Sequence, residues 1–172
     1  MPTCVTLSGL TLDCRDNVGG IKYAYVLPFS SSIGISAPNG TAATFTVDGV
    51  TISNVSASFK KFETPRQTGF ITETGTYSEE NGTAFYTQVA SLTFNKLTSA
   101  SQVEVQKLGE ASKLAVVVKD NNDRLWLIGN NNGAVLSAAN GGTGTAFGDR
   151  NGVTIEFTGI SNDPMYVVTV GE

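Results

Sequence analysis

The sequence predicts a mainly β fold, an antiparallel sandwich or barrel with one short helix beside it and one long extended hairpin, and three observations carry that expectation. From residue 113 to 170, short apolar runs recur between clusters of glycine, asparagine and aspartate, the rhythm of strands and turns in all-β domains. Threonine occurs 21 times and glycine 19 times; the first suits pleated surfaces and the second suits turns. Helix signals are confined to one segment near residues 99–109. At 172 residues the chain fits a single domain able to bury a core of its own.

Residues 4–12 and 21–29 are the first strand candidates, with the turn between them supplied by Asn17 and the Gly19-Gly20 pair. Pro28 should end the second strand or confine it to an edge, because it donates no ladder hydrogen bond. Residues 30–42 read as loop. Residues 44–47 and 50–52 form a hairpin closed by Asp48-Gly49, a strong two-residue turn signal.

The stretch from 57 to 94 is more distinctive. Phe59, Phe62 and Phe70 lie among Lys60, Lys61, Glu63 and Arg66, and Pro65 interrupts the run. Residues 70–77 and 83–94 then read as a long hairpin. A two-residue turn at Asn81-Gly82 would set Tyr77 opposite Tyr86, an aromatic pair that pins the register. Such a hairpin needs a surface to pack or pair against, either the chain's own core or a neighbouring copy.

Ser99 or Ser101 is the expected helix cap, Val103 and Leu108 the inward residues, and Gly109 the stop. Residues 114–119 and 124–128 are buried-looking strands joined by the polar turn 120–123, with Trp126 as a core anchor. The Asp120-to-Asp123 turn lacks the alternating acidic spacing and closing glutamate of a calcium loop. Residues 134–138, 153–158 and 165–170 complete the strands. The glycine-rich segment 140–152 lacks the Lys-Ser/Thr ending of a phosphate loop, and a strand rather than a helix follows it.

Composition narrows the chemistry. There is no histidine, so an imidazole base, shuttle or ligand is excluded. Glu79-Glu80 falls at a hairpin tip, where solvated charge is expected and glycosidase acids are not. The chain is therefore expected to be no enzyme and to need no cofactor. Cys4 and Cys14 admit buried thiols, a hairpin-bridging disulfide or a metal site, and the last would lack the ligands for a tetrahedral zinc shell. The N-terminal residues do not follow the order of a secretory signal, and no run reaches the ~18 apolar residues of a membrane span; synthesis in a reducing cytoplasm without membrane attachment is expected.

Charged residues make up 15% of the chain and the net charge is −4. The charged fraction is below the roughly 25% usual for soluble domains; it suits either a threonine-rich β domain or one that covers its exterior with copies of itself. The eleven basic residues are scattered, unlike the clustered cationic face of a static nucleic-acid binder. A weakly acidic channel would instead let a polyanion pass.

The run 114–129, the run 143–159 and the opening from Cys4 to Ile21, with Asp13-Cys14 and Gly19-Gly20-Ile21, resemble small virion proteins of phages and prophages of Bacteroides-like bacteria. Among these the chain is most similar in pattern to the tail tube family, itself similar to the Hcp-like tube of contractile secretion machines. The resemblance implies a β-sandwich or half-barrel with one flanking helix, assembled into hexameric rings that stack into a hollow tube, with other virion tail proteins as partners and DNA passing through without specific binding. It also implies that a long loop or hairpin, which residues 58–84 could supply, reaches the adjacent ring; the candidate interface residues of the hairpin are Phe59, Phe62, Phe70, Tyr77 and Tyr86. Two alternatives share the composition: another virion component, such as a neck ring, head decoration or baseplate protein, and a carbohydrate-binding sandwich with exposed aromatics.

Overall fold

The computed structural model describes residues 9–10, 15–29, 33–36, 44–47, 50–52 and 59–169. Cys4 and Cys14, the Asp48-Gly49 turn and most of the strand expected over 4–12 lie outside them; Gly9 and Leu10 are not in a strand. The fold is mainly antiparallel β with a single α-helix among the described residues. Its strands are β1 (Ile21–Pro28), β2 (Ile33–Ser36), β3 (Thr44–Val47), β4 (Val50–Thr51), β5 (Lys60–Glu63), β6 (Phe70–Ser78) and β7 (Thr83–Asn95). Helix α1 (Ser99–Glu110) follows, then β8 (Leu114–Asp120), β9 (Leu125–Ile128), β10 (Ala134–Gly142), β11 (Gly152–Ser161) and β12 (Tyr166–Val167).

Nine strands form two layers. One runs β5-β1-β8-β9-β12 and the other β10-β11-β7-β6, and the layers join where Leu114 of β8 pairs with Ala134 of β10. Between them lies the main core, which takes Ala24 and Val26 from β1, Leu114, Val116 and Val118 from β8, Leu92 from β7, and Ile155 and Phe157 from β11. The opposite face of β8 sends Ala115 and Val117 into a second cluster with Tyr25, Phe29, Phe59 and Leu127. Because alternate side chains of a strand point to opposite faces, a strand covered on both sides must be apolar throughout; that is why residues 114–118 form an unbroken apolar run.

The pairings of β3 with β4, Val47 to Val50 and Thr46 to Thr51, agree with a two-residue connection. Residues 33–36, expected as loop, form β2 against β3; four residues containing Gly34 gave no apolar run to read. β10 extends to Gly142 and β11 begins at Gly152, so the glycine-rich loop is only 143–151. In contrast, of the last expected strand, 165–170, the described residues 165–169 hold only the two-residue β12.

The helix is capped by Thr98, not by either expected serine. Thr98 Oγ1 accepts from Ser101 N at 3.1 Å, and Ser101 Oγ accepts from Thr98 N at 2.9 Å. This is a capping box with serine in place of the usual Glu or Gln at the third helical position, which hid it from a search for those residues. The register turns Leu108 and Val105 to the core and leaves Val103 exposed, and the helix runs through Gly109 to Glu110. Thr98→Ala is expected to lower stability by about 1 kcal/mol, seen as a shift in the urea midpoint without a change in slope; Thr98→Ser should restore most of it.

Candidate functional site

The three strands that end the nine-stranded sheet differ in how they are protected; among the described residues β10 also lacks a second strand partner beyond its one pair with β8, Ala134 to Leu114. β5 has charged residues at three of its four positions, Lys60, Lys61 and Glu63, and Lys61 Nζ sits 4.1 Å from the centre of the Tyr23 ring while pairing with Glu63 at 2.7 Å. β12 is only two residues long. Charge and shortness are two ways of blunting an edge whose backbone groups could otherwise recruit another strand. β6 has neither: nine residues pair with β7 on one side and with no other strand among those described, and Glu73 is the one charged residue in the strand.

Glu73 is exposed, but its carboxylate is engaged within the chain. Its Oε2 accepts from Gln88 Nε2 at 3.2 Å and from Met165 N. Gln88 is fully buried and also donates to Ser161 Oγ and Asp163 O, both at 3.3 Å, while its Oε1 accepts from Gly129 N at 2.7 Å. This network ties β6, β7, the β9–β10 turn and the segment after β11 together, and it had no signature in the sequence. Besides Glu73, β6 presents hydroxyl, methyl and aromatic surface: Thr72, Thr74 and Thr76 are exposed, Phe70 is 48% exposed and Tyr77 68%.

The hairpin register differs from the expectation. Ser78 pairs with Thr83, leaving a four-residue connection at 79–82, so Tyr77 lies opposite Ala84 and Tyr86 opposite Gly75. The tyrosines still meet, diagonally, with ring centres 6.1 Å apart in an edge-on arrangement and Tyr77 Oη donating to Tyr86 Oη at 2.9 Å. Gly75 makes this possible, because a Cβ there would fall 2.8 Å from Tyr77 Oη. β11 ends opposite Tyr86 at Ser161, so the tip beyond this pair is a two-stranded arm.

Of the other candidate residues, Phe59 is buried in the chain's own second cluster, and Phe62 is half-buried beside Phe94 at 6.1 Å between ring centres. The exposed members are thus Phe70 and Tyr77, with Tyr86 half-buried.

Trp126 is not the core anchor the sequence suggested. It is half-buried on β9 and donates Nε1 to Asp120 Oδ2 at 2.9 Å. Asp120 Oδ1 accepts from Asn122 N at 2.9 Å and Arg124 N at 2.8 Å, so its carboxylate organises the 120–123 turn. Asp123, at the end of that turn, pairs with Lys22 at 2.6 Å, and this bond lowers its pKa. Among the described residues no helix is long and apolar enough to cross a membrane. Compared with family models, curated proteins and solved structures, the chain matches none of them.

Proposed function

We propose that this chain is a virion structural subunit, a tail tube protein whose copies join edge to edge into rings, hexameric as the resemblance implies, that stack around a passage for DNA. The observation that carries the reading is the contrast between edges: β5 is charged, β12 is short, and β6 offers a long strand with a single charge, Glu73, that ends in an aromatic-braced arm. Strand addition to such an edge supplies main-chain hydrogen bonds; in a ring β6 of one copy pairs with a different edge of the next, for which β10, open among the described residues on its second side beyond Ala134, is available.

The outer face of the β10-β11-β7-β6 layer supports the passage. Its strand residues are mostly threonine, serine and small apolar groups such as Thr72, Val89 and Thr158, and their one ionisable side chain is Glu156. A carboxylate repels phosphate, and hydroxyls do not hold it through counterion release.

The double variant Thr74→Lys/Thr76→Lys tests the reading. It places charge on exposed positions of the edge without touching the core. Its dissociation concentration is expected to rise at least about tenfold, with rings or tubes lost in negative-stain images and the thermal melt unchanged. A wild-type protein that stays monomeric at every concentration would refute the proposal.

A further inference from the structure

The 143–151 loop and a groove under α1 take no part in β6 pairing. The loop is braced from within: Asp149 Oδ2 accepts from Thr145 N and Ala146 N, both at 2.8 Å, and Asp149 N donates to Ala146 O at 3.0 Å. Gly144 adopts a positive φ of 71° against this carboxylate's own Cβ, which a side chain at 144 would strike. The two backbone donors hold the Asp149 carboxyl below its ordinary pKa. This brace presents Phe147 fully exposed, and a lone ring held in water gains free energy only by burial against something else.

The groove lies between α1 and the sheet and measures about 260 Å³. Phe62, Phe94, Val105 and Ile155 give it an apolar lining, to which Lys96 and Glu104 add one charge of each sign. A cavity of about 150 Å³ lined by such side chains already accepts benzene, so a phenylalanine ring fits. Asp149 and Arg150 stand two and three residues beyond Phe147, opposite in sign to Lys96 and Glu104 respectively; Glu104 also meets Lys107 at 2.7 Å.

We infer that Phe147 of one copy seats in the α1 groove of a second copy, with Asp149 facing Lys96 and Arg150 facing Glu104. Both features belong to one end of the fold, because Lys96 N donates to Asn151 O at the base of the loop at 2.5 Å. Two copies meeting end to end can therefore exchange the contact reciprocally, as a twofold interface requires. An aromatic anchor in an apolar pocket with a charged rim is how protein interfaces concentrate their binding energy. This contact does not depend on the tail tube reading.

The test places the photoreactive residue p-benzoylphenylalanine at position 147, in the Thr74→Lys/Thr76→Lys background, and mixes isotopically light and heavy protein before irradiation. Crosslinks between light and heavy chains at residues 94–108 are expected. Crosslinks within one chain only, crosslinks elsewhere, or none would overturn the inference and leave β6 pairing untouched. As a second measure, Phe147→Ala and Ala100→Trp, which fills the groove from an exposed position, should each weaken self-association by about 10- to 100-fold in sedimentation; an unchanged constant in both would also overturn it.

Discussion

Phe157→Ala is expected to lose roughly 3–5 kcal/mol of folding free energy, the largest single cost among the core side chains. Phe157 is fully buried in β11, among the side chains through which the two layers meet. Its neighbours are fixed by two ladders, to Ala90 of β7 and Leu136 of β10, so the sheet cannot close over the space the ring leaves. With a urea slope of about 2 kcal/mol/M, the midpoint should fall by roughly 2 M. Trp126→Ala is the comparison that gives the number meaning. The sequence alone would assign the larger loss to the sole tryptophan, whereas its half-buried ring and single bond to Asp120 predict roughly 1–2 kcal/mol, mostly from the acceptor left without its donor. If Trp126→Ala proves the more damaging of the two, the core has been placed in the wrong layer.

That reversal indicates what the residue order reveals and what it hides. β8 was legible because both its faces are covered, so burial left a continuous apolar run, and the β3–β4 hairpin was legible because Asp-Gly turns have few alternatives. The Tyr77–Tyr86 contact was foreseen through the wrong register: the Asn81-Gly82 signal suggested a two-residue turn, but the connection takes four residues and Gly75 lets Tyr77 lean across to its partner. Thr98 went unseen because its box closes with serine. The buried Gln88 network and the groove under α1 could not be read at all, since both join segments far apart in the chain: Gln88 reaches Gly129, Ser161 and Asp163, and the groove gathers residues from Phe62 to Ile155. Likewise, the open edge of β6 depends on knowing which strand ends the sheet, while the low charge that makes it open was already visible in residues 70–78.

Gly159→Ala is the second large effect, expected to destabilise by roughly 3–5 kcal/mol although it adds one methyl group. A Cβ at Gly159 would lie 2.4 Å from Gly129 Cα and 2.6 Å from Gly129 N, so the clash is with backbone, which has no rotamer to change. Gly129 itself has φ of 81° at the start of the β9–β10 turn and can retreat only by giving up its 2.7 Å bond to the buried Gln88 Oε1. Relief of the overlap therefore strands a buried acceptor and loosens the same network that holds Glu73 of the edge strand. Because the two residues act on one turn, Gly159→Ala and Gln88→Ala should be strongly non-additive in a double-mutant cycle, the second change costing at least about 1 kcal/mol less once the first is present. Urea unfolding of the four proteins measures this directly. Additive losses, or a Gly159→Ala cost below about 1 kcal/mol, would mean that the turn is free to move and that the edge strand is not fixed from the core.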